Sequence, residues 1–161
     1  MSPSMPRIAV IGIGSFNGDD QFGWQVVDCL ERLSLHWIQW RKVQNPIDLL
    51  PPLSECDQAH IVDVAIGLPP PSLFKKLNFS QPRDREIIKE IPSRSSHDIG
   101  VYQTLRLAES LRKRTDHVTL WVGSGQSFNP LAAMSSIASR SVDACVGQLA
   151  EELCDARNVA C

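Results

Sequence analysis

The feature that most constrains the fold is a short apolar run near the start of the chain, Ile8–Ile13 (IAVIGI), which ends at Gly14. The run is rich in β-branched residues and has no polar face, so it predicts a strand buried on both sides. Such strands occur in parallel sheets covered by helices, and a helix should follow. Apolar residues recur at helical spacing over residues 22–33, and we expect Asp19 or Asp20 to cap this helix.

Strands and helices alternate along the rest of the chain. Further strands are predicted over residues 37–43, 59–65 and 118–122, and helices over residues 46–53, 99–114 and 131–153. Residues 73–79 and 86–91 could pair as edge strands or form a surface loop, and we favour strands. The alternation predicts a single three-layer α/β domain over residues 1–161, with a largely parallel, twisted sheet of about five strands and helices on both faces.

The composition argues against several classes of protein. Hydrophobic residues make up 43% of the 161 residues and charged residues 21%, which is ordinary for a globular protein and unlike a disordered chain or a coiled coil. Sixteen Lys and Arg against 18 Asp and Glu give a net charge of −2, so we expect no nucleic-acid partner. The apolar run near the start is too short to span a membrane. Five cysteines without a C-x-x-C pair suit a reducing compartment, and we expect a cytoplasmic protein.

The first candidate site is the glycine-rich segment that follows the first strand, residues 12–23 (GIGSFNGDDQFG). Gly12, Gly14 and Gly18 form a loose G-x-G-x-x-x-G pattern, which is one form of the dinucleotide-binding fingerprint. Two adjacent carboxylates, however, stand where a pyrophosphate needs bare amides, and no acidic residue ends the second strand. A dinucleotide-binding Rossmann-like domain therefore remains an alternative interpretation.

Three residues could carry chemistry at one edge of the sheet. Of the two adjacent acids, one can cap the helix while Asp20 projects over the carboxyl edge, where open α/β sheets place their sites. Asp63 lies inside an apolar strand, where a carboxylate must be hydrogen-bonded, paired or coordinated. His97 precedes a predicted helix, whose N-terminus favours the neutral imidazole that a metal requires. Each of the three could also serve a purely structural role.

Together, Asp20, Asp63 and His97 form a ligand set of two oxygens and one nitrogen, which suits a divalent ion such as nickel or zinc with coordination positions left open. No cysteine joins the set. The remaining histidines have no acid-rich context and are interpreted as structural or surface residues: His36, His60 and His117.

These motifs resemble those of the hydrogenase maturation endopeptidases, the proteases that trim the C-terminal extension of nickel-iron hydrogenase large subunits. Residues 12–23 resemble the family's opening G-x-G-N…D-D/E-x-x-G segment, residues 61–65 its acidic strand, residues 95–97 its histidine segment, and residues 125–128 (GQSF) an element of one branch. The similarity runs over about the whole chain in the right order. Ser15 stands where the family usually has Asn, and Gln21 where Gly is common.

The resemblance implies an aspartyl, metal-dependent endopeptidase that acts on a large-subunit precursor after nickel insertion. Carried over from the family's motifs, Asp20, Asp63 and His97 are the residues that contact the metal and support cleavage. Nickel would then arrive with the substrate and bind only weakly or transiently to the isolated protein. We expect a monomer with no membrane partner. A catalytically silent binding module of the same fold is a second alternative.

Overall fold

The computed structural model describes residues 4–66, 68, 72–92 and 99–159. Its strands are β1 (Ile8–Ile13), β2 (Ile38–Val43), β3 (Gln58–Ile66), β4 (Phe74–Asn78) and β5 (Val118–Gly125). Its helices are α1 (Phe22–Glu31), α2 (Leu50–Ser54), α3 (Pro82–Glu90), α4 (Val101–Ser110) and α5 (Ser136–Val159), with short 3-10 helices at Gly18–Gln21 and Pro46–Leu49.

The five strands found in the described part of the chain form one sheet in the order β2-β1-β3-β5-β4. β2, β1, β3 and β5 are parallel, and β4 adds an antiparallel edge. The prediction of a largely parallel α/β sheet is confirmed. Because parallel strands end at the same edge, the segments that follow β1, β3 and β5 meet at the carboxyl edge of the sheet.

Each face of the sheet carries its own apolar core. On one face, residues of α1 and α5, including Phe22, Val26 and Leu149, pack against alternate residues of the strands. On the other face, residues of α2, α3 and α4, including Leu53 and Leu105, pack against the remaining strand residues. Helices on both faces explain why β1 is buried along its whole length.

The contact between β1 and α1 depends on two glycines. A Cβ on Gly12 would lie 2.3 Å from the carbonyl oxygen of Gly23, and a Cβ on Gly23 would lie 2.5 Å from the carbonyl oxygen of Val62. The backbone of α1 therefore rests directly on β1 and β3. This contact fixes the start of α1, and the 3-10 turn before it, over the carboxyl edge of the sheet.

The structure corrects one predicted element. β4 confirms the edge strand expected within residues 73–79, but residues 86–91 lie mostly in α3 and are not a strand. Pro82 occupies the first turn of α3, Asp84 lies near its N-terminus and Lys89 in its last turn, all of which favour a helix. The strand prediction relied on a short run of isoleucines, of which only Ile88 in α3 is fully buried.

The long C-terminal helix α5 has 24 residues and packs Val142, Cys145 and Leu149 onto the sheet. It starts at Ser136, so the first residues of the helix predicted over 131–153 belong instead to the connection that follows β5. Over the ranges that the structure describes, no helix has both the length and the apolar character needed to cross a bilayer.

Candidate active site

A cavity of about 130 Å³ lies at the carboxyl edge of the sheet and contains both predicted acids, Asp20 and Asp63. Most of the side chains that line it are apolar and include Ile13, Ile88 and Val122, which belong to the core beneath α2, α3 and α4. Among the described residues that line it, the two aspartates are the only charged ones. The cavity is therefore an acidic pocket in apolar surroundings.

Asp63 reaches this cavity from β3, where it pairs with Val122 of β5. Its Oδ1 accepts a hydrogen bond from the Val64 amide at 2.8 Å. Burial raises the pKa of the Asp63 carboxyl to about 7, and the bond from Val64 offsets this only in part. A carboxylate that the fold makes costly to ionise is stabilised by a nearby cation, so this position suits binding of a positive ion.

Asp20 lies in the 3-10 helix Gly18–Gln21, directly before α1. The Ser15 hydroxyl donates a hydrogen bond to Asp20 Oδ2 at 2.5 Å, and the same hydroxyl accepts the Asn17 amide at 3.3 Å. The backbone of residues 15–20 forms a closed loop, because the Ser15 amide donates a hydrogen bond to the Asp20 carbonyl oxygen at 3.1 Å. Ser15 thus holds both the backbone and the side chain of Asp20 at the cavity wall.

Asp19, the neighbouring acid, is fully buried and faces a different set of partners. Its Oδ2 accepts hydrogen bonds from the Gln126 amide at 2.6 Å, the Ser127 amide at 3.0 Å and the Ser135 hydroxyl at 2.7 Å. Its Oδ1 accepts the Ser135 amide at 2.6 Å. Burial alone would raise the pKa of Asp19, but these hydrogen bonds lower it. We call this arrangement the Asp19 clamp; it fastens the Asp20 segment to residues 126–135.

The expectation that Asp19 or Asp20 caps the first helix is wrong. The N-cap residues are Asn17 for the 3-10 helix and Gln21 for α1, and neither helix has a capping hydrogen bond from a side chain. The 3-10 turn leads straight into α1, and the Phe22 amide donates to the Asp19 carbonyl oxygen. Asp19 instead satisfies amides of a segment more than 100 residues away, which no local pattern can indicate.

His97, the third predicted site residue, lies outside the described residues. The residues that flank its segment, Pro92 and Ile99, both line the cavity. Within the ranges that are described, no three His, Cys, Asp or Glu side chains are grouped closely enough to hold a metal ion. The structure thus brings Asp20 and Asp63 to one cavity, and the three-residue metal site stays a prediction.

Two polar residues of the cavity were missed by the sequence reasoning. Gln44 directly follows β2 and is exposed, and Tyr102 lies in the first turn of α4 with its ring against Phe79, at 6.3 Å between centroids. Both side chains are neutral and can donate and accept hydrogen bonds, as a peptide substrate requires. The position of Gln44 at a strand end was an available signal. Tyr102 looks like any residue of an amphipathic helix.

The other histidines are structural or surface residues, as expected. The indole Nε1–H of Trp121 donates to Nδ1 of His60 at 3.1 Å, and burial lowers the pKa of His60 to about 4, which keeps this ring neutral. His117 donates from Nε2 to the Leu53 carbonyl oxygen at 3.0 Å. His36 is exposed.

Several solved structures share this fold. A hydrogenase 2 maturation peptidase from a Thaumarchaeota archaeon is 26% identical, with 91% of this chain and 97% of that chain covered and a TM-score of 0.64. An endopeptidase from Escherichia coli is 18% identical over 89% of both chains, with a TM-score of 0.74. The [NiFe] hydrogenase maturation protease HybD from Thermococcus kodakarensis is 19% identical over 91% of this chain and 98% of that one, with a TM-score of 0.70.

No protein-family model matches the sequence, and no curated protein matches it. The solved structures cover about nine-tenths of the chain, so the likeness is one of the whole fold. The resemblance to hydrogenase maturation proteases that the motifs indicated is therefore confirmed in three dimensions.

Proposed function

We propose that this chain is a cytoplasmic, monomeric endopeptidase that removes the C-terminal extension of a nickel-iron hydrogenase large-subunit precursor after nickel insertion. Asp20, Asp63 and His97 contact the nickel of the precursor, which is part of the substrate and not a resident cofactor. The protease class is supported by the names of the structural neighbours. The free thiols of Cys29, Cys56, Cys145 and Cys154 suit a reducing compartment.

One observation carries this proposal: two carboxylates from distant parts of the chain line a single cavity. Asp20 and Asp63 are far apart in the sequence, and their elements meet only because β1 and β3 are neighbours in the sheet. Carboxylate oxygens are suitable ligands for a divalent ion, so a metal carried in by a protein substrate can be bound by these two acids.

The residues of the cavity support two routes of amide cleavage. In the first, the substrate's nickel polarises the scissile carbonyl, while Asp20 and Asp63 hold the ion in place. In the second, a carboxylate accepts a proton from an attacking water, for which the raised pKa of Asp63 is well matched to neutral pH. In both routes Gln44 and Tyr102 can hydrogen-bond the backbone of the substrate segment.

The dinucleotide-binding alternative is disfavoured by the hydrogen bonds of the glycine-rich segment. A pyrophosphate would need the amides at the start of the first helix. Here the Gly18 amide donates to the Ala132 carbonyl oxygen at 3.1 Å, and the Asp19 amide donates to the Ser127 carbonyl oxygen at 2.7 Å. The Asp20 amide donates to the Asn17 carbonyl oxygen at 3.0 Å. These donors already serve the fold and are not presented to an anion.

The direct test compares nickel-loaded with nickel-free precursor. Purified protein is incubated with each form, and removal of the C-terminal extension is followed by intact-protein mass spectrometry. We expect cleavage of the nickel-loaded precursor alone, and loss of cleavage in Asp20→Asn, Asp63→Asn and His97→Ala. Asp28→Asn is the matched control, since Asp28 is an exposed acid of α1 that pairs with Lys42. Equal cleavage of both forms of precursor would refute the role of nickel.

The same experiment separates the two alternatives. A folded protein that binds the nickel-loaded precursor but leaves it intact is a silent binding module. Tight binding of NAD or NADP, measured by calorimetry, would instead support the dinucleotide-binding interpretation. Either result would overturn the proposed protease activity.

A further inference from the structure

Three apolar side chains stand out at the carboxyl edge of the sheet. Among the described residues, the most exposed large hydrophobic side chains are Leu131 at 82%, Phe16 at 66% and Ile66 at 60%. Phe16 follows β1, Ile66 ends β3 and Leu131 follows β5, and these three strands are neighbours. We call Phe16, Ile66 and Leu131 the apolar ridge.

The two loops of the ridge are held rigidly against each other. Besides the Asp19 clamp, the Leu131 amide donates to Asn17 Oδ1 at 3.0 Å and the Gly18 amide donates to the Ala132 carbonyl oxygen at 3.1 Å. Gly18 has φ +55, and a Cβ there would lie 2.4 Å from the Ser127 carbonyl oxygen, so the loops approach as closely as glycine allows. Such a surface loses little conformational entropy when it binds a partner.

The backbone conformation of Leu131 is a second, independent indication that the apolar ridge has a function. Its φ of +56 lies in the left-handed region, which Gly or Asn adopts at lower cost than leucine. The side chain does not repay this cost by packing, since 82% of it is exposed. Fold stability alone thus favours a different residue at position 131, and strained positions of this kind cluster at functional sites.

The composition of the segments that carry the ridge is a third indication, and it points to a protein interface. The sequence contains no Asp, Glu, Lys or Arg between His117 and Ser139, nor between Ile8 and Gly18. The central part of a protein interface is depleted in charged residues and enriched in aromatic and large apolar ones. The ridge has that character, whereas the cavity contains the two carboxylates of Asp20 and Asp63.

We propose that the apolar ridge is the surface on which the large-subunit precursor docks. This inference rests on the proposed function. Phe16 and Asp20 belong to the same segment, closed by the bond from the Ser15 amide to the Asp20 carbonyl. A metal held within a protein reaches the cavity only if that protein's surface lies against the segments that carry the cavity's acids, and Phe16 lies on the segment that carries Asp20. Phe16, Ile66 and Leu131 are the anchors of that contact.

The test measures binding separately from cleavage. The full-length protein is titrated with the nickel-loaded precursor, and the dissociation constant is determined for wild type, Leu131→Asn and Phe16→Ser. We expect each substitution to weaken binding about tenfold. Leu131→Asn should fold at least as well as wild type in thermal denaturation, because Asn tolerates a positive φ. A gain in stability together with a loss of affinity is a result that a purely structural role would not give.

Leu111→Asn is the matched control. Leu111 is 54% exposed, but it follows α4 at the opposite end of the sheet, and its substitution should leave the dissociation constant unchanged. The docking proposal is overturned if wild type does not bind the precursor, or if Leu131→Asn and Phe16→Ser bind as wild type does. Binding that depends on the ridge without any cleavage would support the docking surface and contradict the protease activity, so the two proposals fail in different ways.

Discussion

The Asp19 clamp and the cavity around Asp63 both bury a carboxylate at the same edge of the sheet, but in opposite ways. Hydrogen bonds from residues 126–135 hold the pKa of Asp19 below its usual value, whereas burial raises the pKa of Asp63 to about 7. The first arrangement stabilises the folded chain, and the second opposes folding at neutral pH. Burial by itself therefore does not decide the pKa of a carboxyl at this edge of the sheet; the hydrogen bonds that reach the ionised form decide it as well.

We expect the largest effect on stability from a substitution that disrupts the hydrogen bonds of the Asp19 clamp. Asp19→Asn puts an amide donor among four donors, and we expect the free energy of unfolding to fall by about 3 to 5 kcal/mol. Because the folded-state pKa of Asp19 is lowered, its contribution is present above the ordinary value of 3.8 and is lost as the pH falls through the folded value. Urea denaturation at pH 7 and pH 3 should therefore show a difference from wild type that shrinks in acid. A decrease in the free energy of unfolding of less than about 1 kcal/mol at pH 7 would contradict the stabilising role of the Asp19 clamp.

At the cavity, in contrast, we expect a substitution to increase the free energy of unfolding. Asp63→Asn should raise the free energy of unfolding at pH 8 by about 1 to 3 kcal/mol, because it removes a buried charge, while abolishing processing. The folded pKa is raised from 3.8 to about 7, so the stability linked to the protonated form is complete below 3.8 and is lost as the pH rises through about 7. The gain over wild type should therefore be larger at pH 8 than at pH 5 in thermal denaturation. A variant less stable than wild type at pH 8 would show that Asp63 is a structural residue.

A third prediction concerns the hydrogen bond between Ser15 and Asp20. Ser15→Ala should lower kcat/KM for the nickel-loaded precursor by about tenfold, since groups that orient a metal ligand typically contribute on that scale. Ser15→Thr keeps the hydroxyl and should restore most of this value. Steady-state kinetics with the nickel-loaded precursor provide the readout. If the Ala and Thr variants behave alike, Ser15 does not position Asp20.

The smallest effect is expected at Gln21, whose side-chain amide donates to the Ala132 carbonyl oxygen at 3.1 Å. This is a neutral bond across the same two loops, so Gln21→Ala should reduce the free energy of unfolding by about 1 kcal/mol and leave processing intact. Urea denaturation and the cleavage assay check both statements. A loss as large as that of Asp19→Asn would mean that the charge of Asp19 is not what makes the clamp strong.

The largely parallel sheet and the position of two candidate site residues could be predicted because they follow from short-range patterns. The apolar runs of β1, β3 and β5 mark buried parallel strands, and Asp20 and Asp63 stand where such strands meet the carboxyl edge. The rule that open α/β sheets place their sites there then brings two distant acids together without knowledge of any contact.

What could not be predicted depends on contacts between distant segments. Asp19 looked like a helix cap because its partners, Gln126, Ser127 and Ser135, are far away in the chain. The left-handed backbone of Leu131 has no sequence signal, since leucine is unfavourable there. Residues 86–91 were misassigned because a short isoleucine run fits both periodicities, and the proline that starts α3 carried the information instead.

The Asp19 clamp also sets an order of events during synthesis. It joins positions 107 to 116 residues apart, so the segment that carries Asp20 has no partner for its buried acid until the ribosome has produced the connection after β5. Contacts of such long range form late in folding, because closing the loop between them is entropically costly. A nascent chain that has completed β1, α1 and even β3 therefore still lacks an ordered Asp20 segment. The carboxylate of Asp20 takes up its final position at the cavity wall only in the step that completes the tertiary structure.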